Sequence, residues 1–177
     1  HWLMDLRQRF PDLKSRLTAL NVHDAVLRLT EGGCDLLIAY HHAAQPLQLS
    51  TDRYEMLTLG RETLAPYAKA DADGQPMFQL PGRLGVRVPF LSYASGAYMA
   101  RLVELILKEA PQPAALDPIY ETDMAEGLKA MALEGHGLAL REAGHEQAEG
   151  QGPHQVDEGG HQEIQVGPAY RHPEEDA

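Results

Sequence analysis

One cysteine, Cys34, stands in 177 residues. No internal disulfide can therefore form, which agrees with a reducing cytosol. Cys34 opens an apolar stretch, where burial makes a thiol inert rather than reactive. No apolar run approaches the ~18 residues of a membrane span. The start, His1-Trp-Leu-Met-Asp-Leu-Arg7, is polar within five residues and has no initiator methionine. It does not read as a signal peptide; the expectation is a cytoplasmic fragment of a longer chain.

Positive charge is scarce. Fifteen Lys and Arg face 26 Asp and Glu, for a net charge of −11. Residues 1–140 carry 13 basic and 17 acidic side chains; residues 141–177 carry two and nine. Neither part has the basic patch that grips phosphates, so these residues are not expected to bind nucleic acid. Catalytic signatures are also missing. There is no Gly-x-Ser-x-Gly, phosphate loop, His-Glu-x-x-His or strand-borne Gly-x-Gly-x-x-Gly. An enzyme is not expected, nor is any cofactor or metal.

What the chain does contain is an internal echo. Asp24-Ala-Val-Leu-Arg-Leu-Thr-Glu-Gly-Gly-Cys-Asp-Leu-Leu-Ile38 lies without a gap over Glu126-Gly-Leu-Lys-Ala-Met-Ala-Leu-Glu-Gly-His-Gly-Leu-Ala-Leu140, 102 residues later. Each copy reads as a short amphipathic helix, a glycine stop and an apolar strand. Two such half-βαβ units imply two α/β lobes with a cleft between them.

Around the echo, Trp2 to Phe10 has helical apolar spacing and ends at Pro11. Leu17 to Val22 alternates as a strand does. Asp24 is the expected N-cap of the next helix, which stops at Gly32-Gly33. Cys34 to Tyr40 is apolar enough for a parallel strand covered on both faces. Further strands are expected at Arg53 to Leu59, Glu62 to Ala68, Val86 to Tyr93 and Leu116 to Tyr120. Ser95 is expected to cap a helix whose apolar face is Met99, Leu102, Val103 and Ile106. Thr122 or Asp123 is expected to cap the helix of the second copy. Gly127 inside that helix costs ~1 kcal/mol relative to Ala and points to close packing. After Leu140 only Val156, Ile164, Val166 and Tyr170 are large and apolar. Residues 141–177 therefore read as a disordered tail.

The order of these segments resembles the effector-binding domain of LysR-type transcriptional regulators. Leu3-Met-Asp-Leu-Arg-Gln-Arg-Phe-Pro-Asp-Leu13 is similar to the first helix of that domain. Val26 to Ile38 is similar to its leucine-rich helix, glycine and Asp-Leu-x-Ile strand. Glu121-Thr-Asp-Met124 through Gly135-His-Gly-Leu-Ala139 resembles its second-lobe segment. Pro89 to Leu102 is most similar to the subgroup of a hypochlorite-responsive regulator.

The resemblance implies an α/β, two-lobed periplasmic-binding-protein-like (type II) fold, here expected to be incomplete at both ends. Lobe I would be residues 1–66 and lobe II residues 67–140. It also implies a small-molecule effector in the cleft, homo-oligomers in the full-length protein, and DNA contact only through a separate N-terminal helix-turn-helix domain. The family's usual return to lobe I is not found after Leu140. A change of reading frame near residue 140 and a lineage-specific tail are both consistent with that departure. A stand-alone binding protein of the same fold is the alternative function.

Candidate ligand residues follow from strand ends and helix starts. Ser95 and Gly96 begin a helix, where free N–H groups and the dipole suit an anion. Ser92 and Tyr98 add hydroxyls beside them, and the family places effector contacts there. Thr122 begins the other lobe II helix; capping explains it equally well. Tyr40 and His41, with His42, end a lobe I strand, and strand carboxyl ends face the crevice in open α/β sheets. Met99 and Met124 lie at the starts of the two helices. Oxidant sensing through the sulfoxide is one reading of them and packing is the other. The scattered His145, His154, His161 and His172 do not form a metal site.

Overall fold

The computed structural model describes residues 2–142, 154–155 and 162–171. The elements run α1 (Trp2–Arg9), α2 (Val22–Thr30), β1 (Leu36–His41), β2 (Glu55–Leu57), β3 (Gly60–Ala68) and β4 (Val88–Tyr93). They continue with α3 (Tyr98–Glu109), β5 (Leu116–Thr122), α4 (Ala125–Leu133), β6 (Leu138–Glu142), β7 (His154–Gln155) and β8 (Gln162–Arg171).

All the strands belong to one sheet with the path β1-β8-β3-β6-β4-β5; β2 joins β8 and β7 joins β3. Strands β6, β4 and β5 are parallel, and β4 and β5 are linked through α3 while β5 and β6 are linked through α4. This is lobe II. On the other side β1, β8 and β3 are antiparallel. Strand β3 also pairs antiparallel with β6, from Leu64↔Glu142 to Tyr67↔Ala139, and so carries the sheet from one lobe into the other.

Most of the core lies in lobe II. Leu91, Leu102, Leu128, Leu138 and Leu140 are fully buried there, together with Leu64 of the crossing strand. Each such side chain contributes about 1.5–3 kcal/mol relative to exposure. Among the described residues lobe I has a smaller buried cluster, Leu29, Leu37 and Tyr54, with Val26, Cys34, Leu47 and Leu49 packed against it. On α3 the buried face is Tyr98, Leu102, Val103 and Ile106. Tyr98 thus occupies the place expected of Met99, which is only partly buried against the core.

The echo survives in altered form. Both helices end in the same way: Gly33 N–H donates to Arg28 O at 2.8 Å and His136 N–H to Met131 O at 3.1 Å. Gly32 (φ 75°) and Gly135 (φ 85°) hold the left-handed position before them. This is the Schellman ending, which satisfies carbonyls that the helix leaves open. Val22 and Ala125 start helices 103 residues apart, whereas Leu36 and Leu138 start strands 102 apart. The ungapped match therefore misplaced the helices by one residue, because the first connecting turn is one residue longer.

Other expectations are corrected. Asn21, not Asp24, caps α2: its side chain accepts from Asp24 N at 2.9 Å and donates to Asp24 Oδ2 at 2.8 Å. Helix α2 then begins at Val22, and residues 13–21 form no strand, since no described neighbour offers them a ladder. Strand β1 is antiparallel to β8, not parallel, and is covered on one face; Leu37 is 6 % exposed but Leu36 and Ile38 are 42 % and 41 % exposed.

Part of the expected disordered tail is strand. Residues 141–142 complete β6, and β8 lies between β1 and β3. The alternation Ile164, Val166, Pro168, Tyr170 has the two-residue period of a strand. Pro168 lacks a ladder donor, and it falls where the β1–β8 register shifts, the place in a sheet that tolerates proline. The remaining tail positions lie outside the described residues.

Replacing Gly32 or Gly135 by Ala forces a Cβ into the left-handed region, at about 1–2 kcal/mol. At Gly135 the added Cβ also meets Lys69 Cδ at 3.1 Å and Met77 Sδ at 3.4 Å, whereas at Gly32 nothing lies within 4 Å. Urea denaturation should give a lower midpoint for both variants, and the lower of the two for Gly135→Ala.

Candidate functional site

The carboxyl ends of β1, β4, β5 and β6 supply the candidate groups. Strand β4 ends at Tyr93 and turns through Ala94-Ser95-Gly96-Ala97, closed by Ala97 N–H to Ala94 O at 3.0 Å. Gly96 is the third residue of that turn with φ 85°, as a type II turn demands. The turn delays α3, which begins at Tyr98 with Ala97 as N-cap and without a side-chain cap. Ser95 is therefore not the cap; its N–H instead donates to Glu121 Oε1 of β5 at 3.0 Å. Ser92 Oγ donates to Tyr120 O at 3.1 Å, which ties β4 to β5.

Tyr98 joins the lobes. It is 6 % exposed, its hydroxyl donates to Gln45 O at 2.8 Å, and it accepts from His42 N–H at 2.9 Å. These two bonds hold the start of α3 against the loop that follows β1. Ser95, Gly96 and Tyr98 of lobe II are thus brought next to the end of β1, where Tyr40 and His41 lie. Tyr98 serves here as a bridge, with its donor and one acceptor site engaged within the protein.

Thr122 ends β5, and its Oγ1 accepts from Met124 N–H at 3.2 Å. Met124, rather than Thr122 or Asp123, is the N-cap of α4. Gly127 is less tightly packed than its cost suggested: a Cβ there would meet Thr122 Cγ2 at 3.4 Å and Tyr120 Oη at 3.5 Å, ordinary van der Waals contacts. Met124 is 67 % exposed, while Met99 packs against the core. Among the described residues no group of three or more His, Cys, Asp or Glu is arranged to hold a metal.

A second set of groups meets at the same place. Tyr93 Oη donates to Glu142 Oε2 at 3.3 Å. Burial, then the charge and hydrogen bond of Glu142, push the Tyr93 phenol well above its ordinary range. Tyr40 is pushed from 10.0 to about 12 by burial first, then by Glu142 and Glu62, with Arg141 opposing. Arg141 is 8 % exposed, and its guanidinium lies 5.6 Å from the centre of the Tyr67 ring. Arg141 Nε and His41 Nδ1 are buried and have no hydrogen-bond partner among the described residues.

Tyr93, Glu62, Arg141 and Glu142 did not figure among the sequence candidates. Arg141 and Glu142 fall in the stretch that reads as tail from its composition, although the strand-end rule that selects Tyr40 selects them once β6 runs to Glu142. A separate cavity of about 230 Å³ is lined by residues such as Pro66, Leu80, Ile106 and Leu140. None of the candidate residues lines it.

A parallel β4–β5–β6 unit with its two helices is joined through the β3–β6 pairing to an antiparallel β1–β8–β3 unit. The LysR substrate binding domain family matches residues 1–154, and the chain belongs to that family. Its fold is the periplasmic-binding-protein-like type II fold of LysR regulatory domains.

The chain is 28 % identical over 123 residues to the HTH domain-truncated transcriptional regulator QseD of Escherichia coli O157:H7, covering 70 % of this chain and 48 % of QseD. It spans about half the length of that relative. The full-length HypT of Salmonella typhimurium, a hypochlorite-specific LysR-type transcriptional regulator, superposes with a TM-score of 0.79 at 23 % identity, over 99 % of this chain and 58 % of HypT. The bromide-bound regulatory domain of HypT gives 0.76 at 24 % identity, over 97 % and 79 %. No helix among the described residues is long and apolar enough to cross a membrane.

Tyr98→Phe leaves Gln45 O and His42 N–H without the hydroxyl, at a cost of about 1–3 kcal/mol; chemical denaturation measures the loss. The Tyr40 phenol titrates higher folded than unfolded, so its contribution is complete below pH 10 and is lost as pH rises toward about 12. Tyr93 acts in the same direction. Denaturation midpoints should therefore fall across that window, and the Tyr40→Phe, Tyr93→Phe double variant should flatten the fall.

Proposed function

We propose that this domain binds a small-molecule effector in the crevice between β1 and the β4–α3 turn, and that binding biases the arrangement of its lobes. The observation that carries the reading is the Tyr98 bridge to His42 and Gln45. It ties the start of α3 to the loop after β1, which supports a site drawn from Tyr40, His41, Ser95 and Gly96, with Ser92 and Thr122 at the neighbouring strand ends. A ligand with different affinities for two lobe arrangements shifts their populations. In a full-length regulator that shift would alter how a homo-oligomer presents its helix-turn-helix domains to DNA.

The domain acts in this reading by binding rather than by turnover, in the cytoplasm, without a cofactor. An anionic effector is favoured by the uncapped start of α3 and by the bromide bound to the HypT regulatory domain. Met124 is the methionine of the candidate pair open to an oxidant, which bears on a sensing role because HypT is hypochlorite-specific. A second reading, a binding domain that works without its own DNA-binding part, is favoured by the HTH-truncated relative QseD.

A thermal-shift screen of small organic acids, inorganic anions and neutral metabolites against the full-length protein tests the crevice. A ligand bound only by the folded state at 100 times its Kd stabilises by about 2.7 kcal/mol and raises Tm. Tyr98→Phe should reduce that rise. A screen in which no compound moves Tm, on protein shown to be folded by circular dichroism, would count against the crevice.

A further inference from the structure

We propose that the cavity at the C-terminal end of α3 is a second ligand site, for a small uncharged apolar molecule about the size of a single substituted ring. The site lies apart from the crevice and does not depend on what the crevice binds.

The cavity measures about 230 Å³. One wall is a directly opposed pair of the seam between the lobes, Pro66 of β3 and Leu140 of β6. Ile106, Leu107 and Ala110 from the end of α3 form another. Loop residues before β4 and after α3 complete it, among them Pro81 and Pro111. Pro66, Ile106 and Leu140 are buried, so the inner part of the cavity is shielded from water. Tyr98, at the other end of α3, lies about 12 Å from Ile106 along the helix axis.

The wall selects the chemical class. Gln112 is the one polar side chain among the described lining residues, and none is charged. Buried water needs about two to four polar partners. A hydrocarbon wall supplies few, so an apolar solute is the better occupant. An ion here would lose its hydration without gaining a counter-charge. An anion would also meet the negative end of the α3 dipole. That end is open. Ala110 is its extended C-cap, and among the described residues no backbone N–H beyond α3 donates to its last carbonyls, whereas glycine turns close α2 and α4.

Volume and rigidity set the size. Drug-sized ligands occupy pockets of roughly 300–1,000 Å³, while a dry aliphatic cavity of about 150 Å³ already holds benzene. A cavity between these bounds suits one ring with a short substituent. Its walls resist collapse: Pro66 is held in the ladder opposite Leu140, and the rings of Pro81 and Pro111 fix the backbone of the flanking loops. Residues 143–153, which follow β6, contain no large apolar side chain and so offer no plug of their own. A molecule seated here touches both the seam and α3, the helix that Tyr98 bonds to the loop after β1, and braces one against the other.

Thermal-shift and ligand-observed NMR titrations of the full chain with toluene, phenol and benzoate at pH 7.5 test this; phenol and benzoate share a ring and differ in charge. Toluene and phenol should bind saturably and raise Tm. Ala110→Leu fills the cavity from its half-buried rim. It should weaken toluene about tenfold or more while leaving the ligand-free Tm unchanged or higher. Leu107→Ala enlarges the cavity and should favour naphthalene over toluene several-fold relative to wild type. Any benzoate binding should be untouched by Ala110→Leu.

Toluene that binds wild type and both variants alike sits elsewhere and overturns the site. So does a failure of toluene and phenol to bind protein shown to be folded by circular dichroism. Benzoate binding that is lost with Ala110→Leu would overturn the uncharged class. A change of oligomeric state with Ala110→Leu, read by light scattering, would mark the cavity as a contact between copies and overturn the ligand. If Ala110→Leu fails to fold, Leu107→Ala decides alone: a naphthalene-to-toluene preference equal to that of wild type overturns the site.

Discussion

The pairing of β3 with β6 is the constraint on which the rest depends. Leu64 to Tyr67 bond to Ala139 to Glu142, and Leu64 and Leu140 at this seam are almost wholly removed from water. The seam joins the larger lobe II core to the separate cluster of Leu29, Leu37 and Tyr54 through one continuous sheet. The seam also orients the strand ends. Because β3 crosses antiparallel, the ends of β1 and of β4 and β6 approach one another, and Tyr40, Tyr93 and Arg141 share one electrostatic environment. The Tyr98 bridge then draws the start of α3 onto lobe I and completes the junction.

Much of this was legible in the sequence wherever a side chain reports its own surroundings. The period of Leu102, Val103 and Ile106 marked the α3 face, and the glycines of the echo marked two helix ends that proved to share one hydrogen-bonding pattern. Caps were less legible, because a cap is a relation between two residues. Asn21 and Asp24 both suit an N-cap, and only the backbone decides that Asn21 takes the place. Ser95 reads as a cap until the left-handed Gly96 is seen to delay the helix by a turn. Strand β8 escaped notice because its few apolar residues sit in a polar, glycine-rich stretch whose average composition hides a two-residue alternation.

The binding groups were half visible for a related reason. Tyr40, His41, Ser95 and Tyr98 were found by rules of position, since strand ends and helix starts collect function. The same rules miss a residue when the element is drawn too short, as happened with Arg141 and Glu142. What no rule of position supplies is the state of satisfaction of a group. Tyr98, a candidate ligand contact by position, is already hydrogen-bonded on both sides and so becomes part of the frame.

The place of β8 in the sheet has a consequence in time. Strand β1 meets β8 through Leu36↔Arg171, whereas the parallel strands of lobe II are joined by single helices. Contacts distant along the chain close slowly, because the intervening loop must first give up its freedom. Lobe II can therefore assemble while lobe I still has an open strand edge beside β1, and such an edge recruits other chains. The interval before β8 arrives is when this protein is most exposed to pairing with a neighbour, so its yield on refolding should depend on how crowded the solution is.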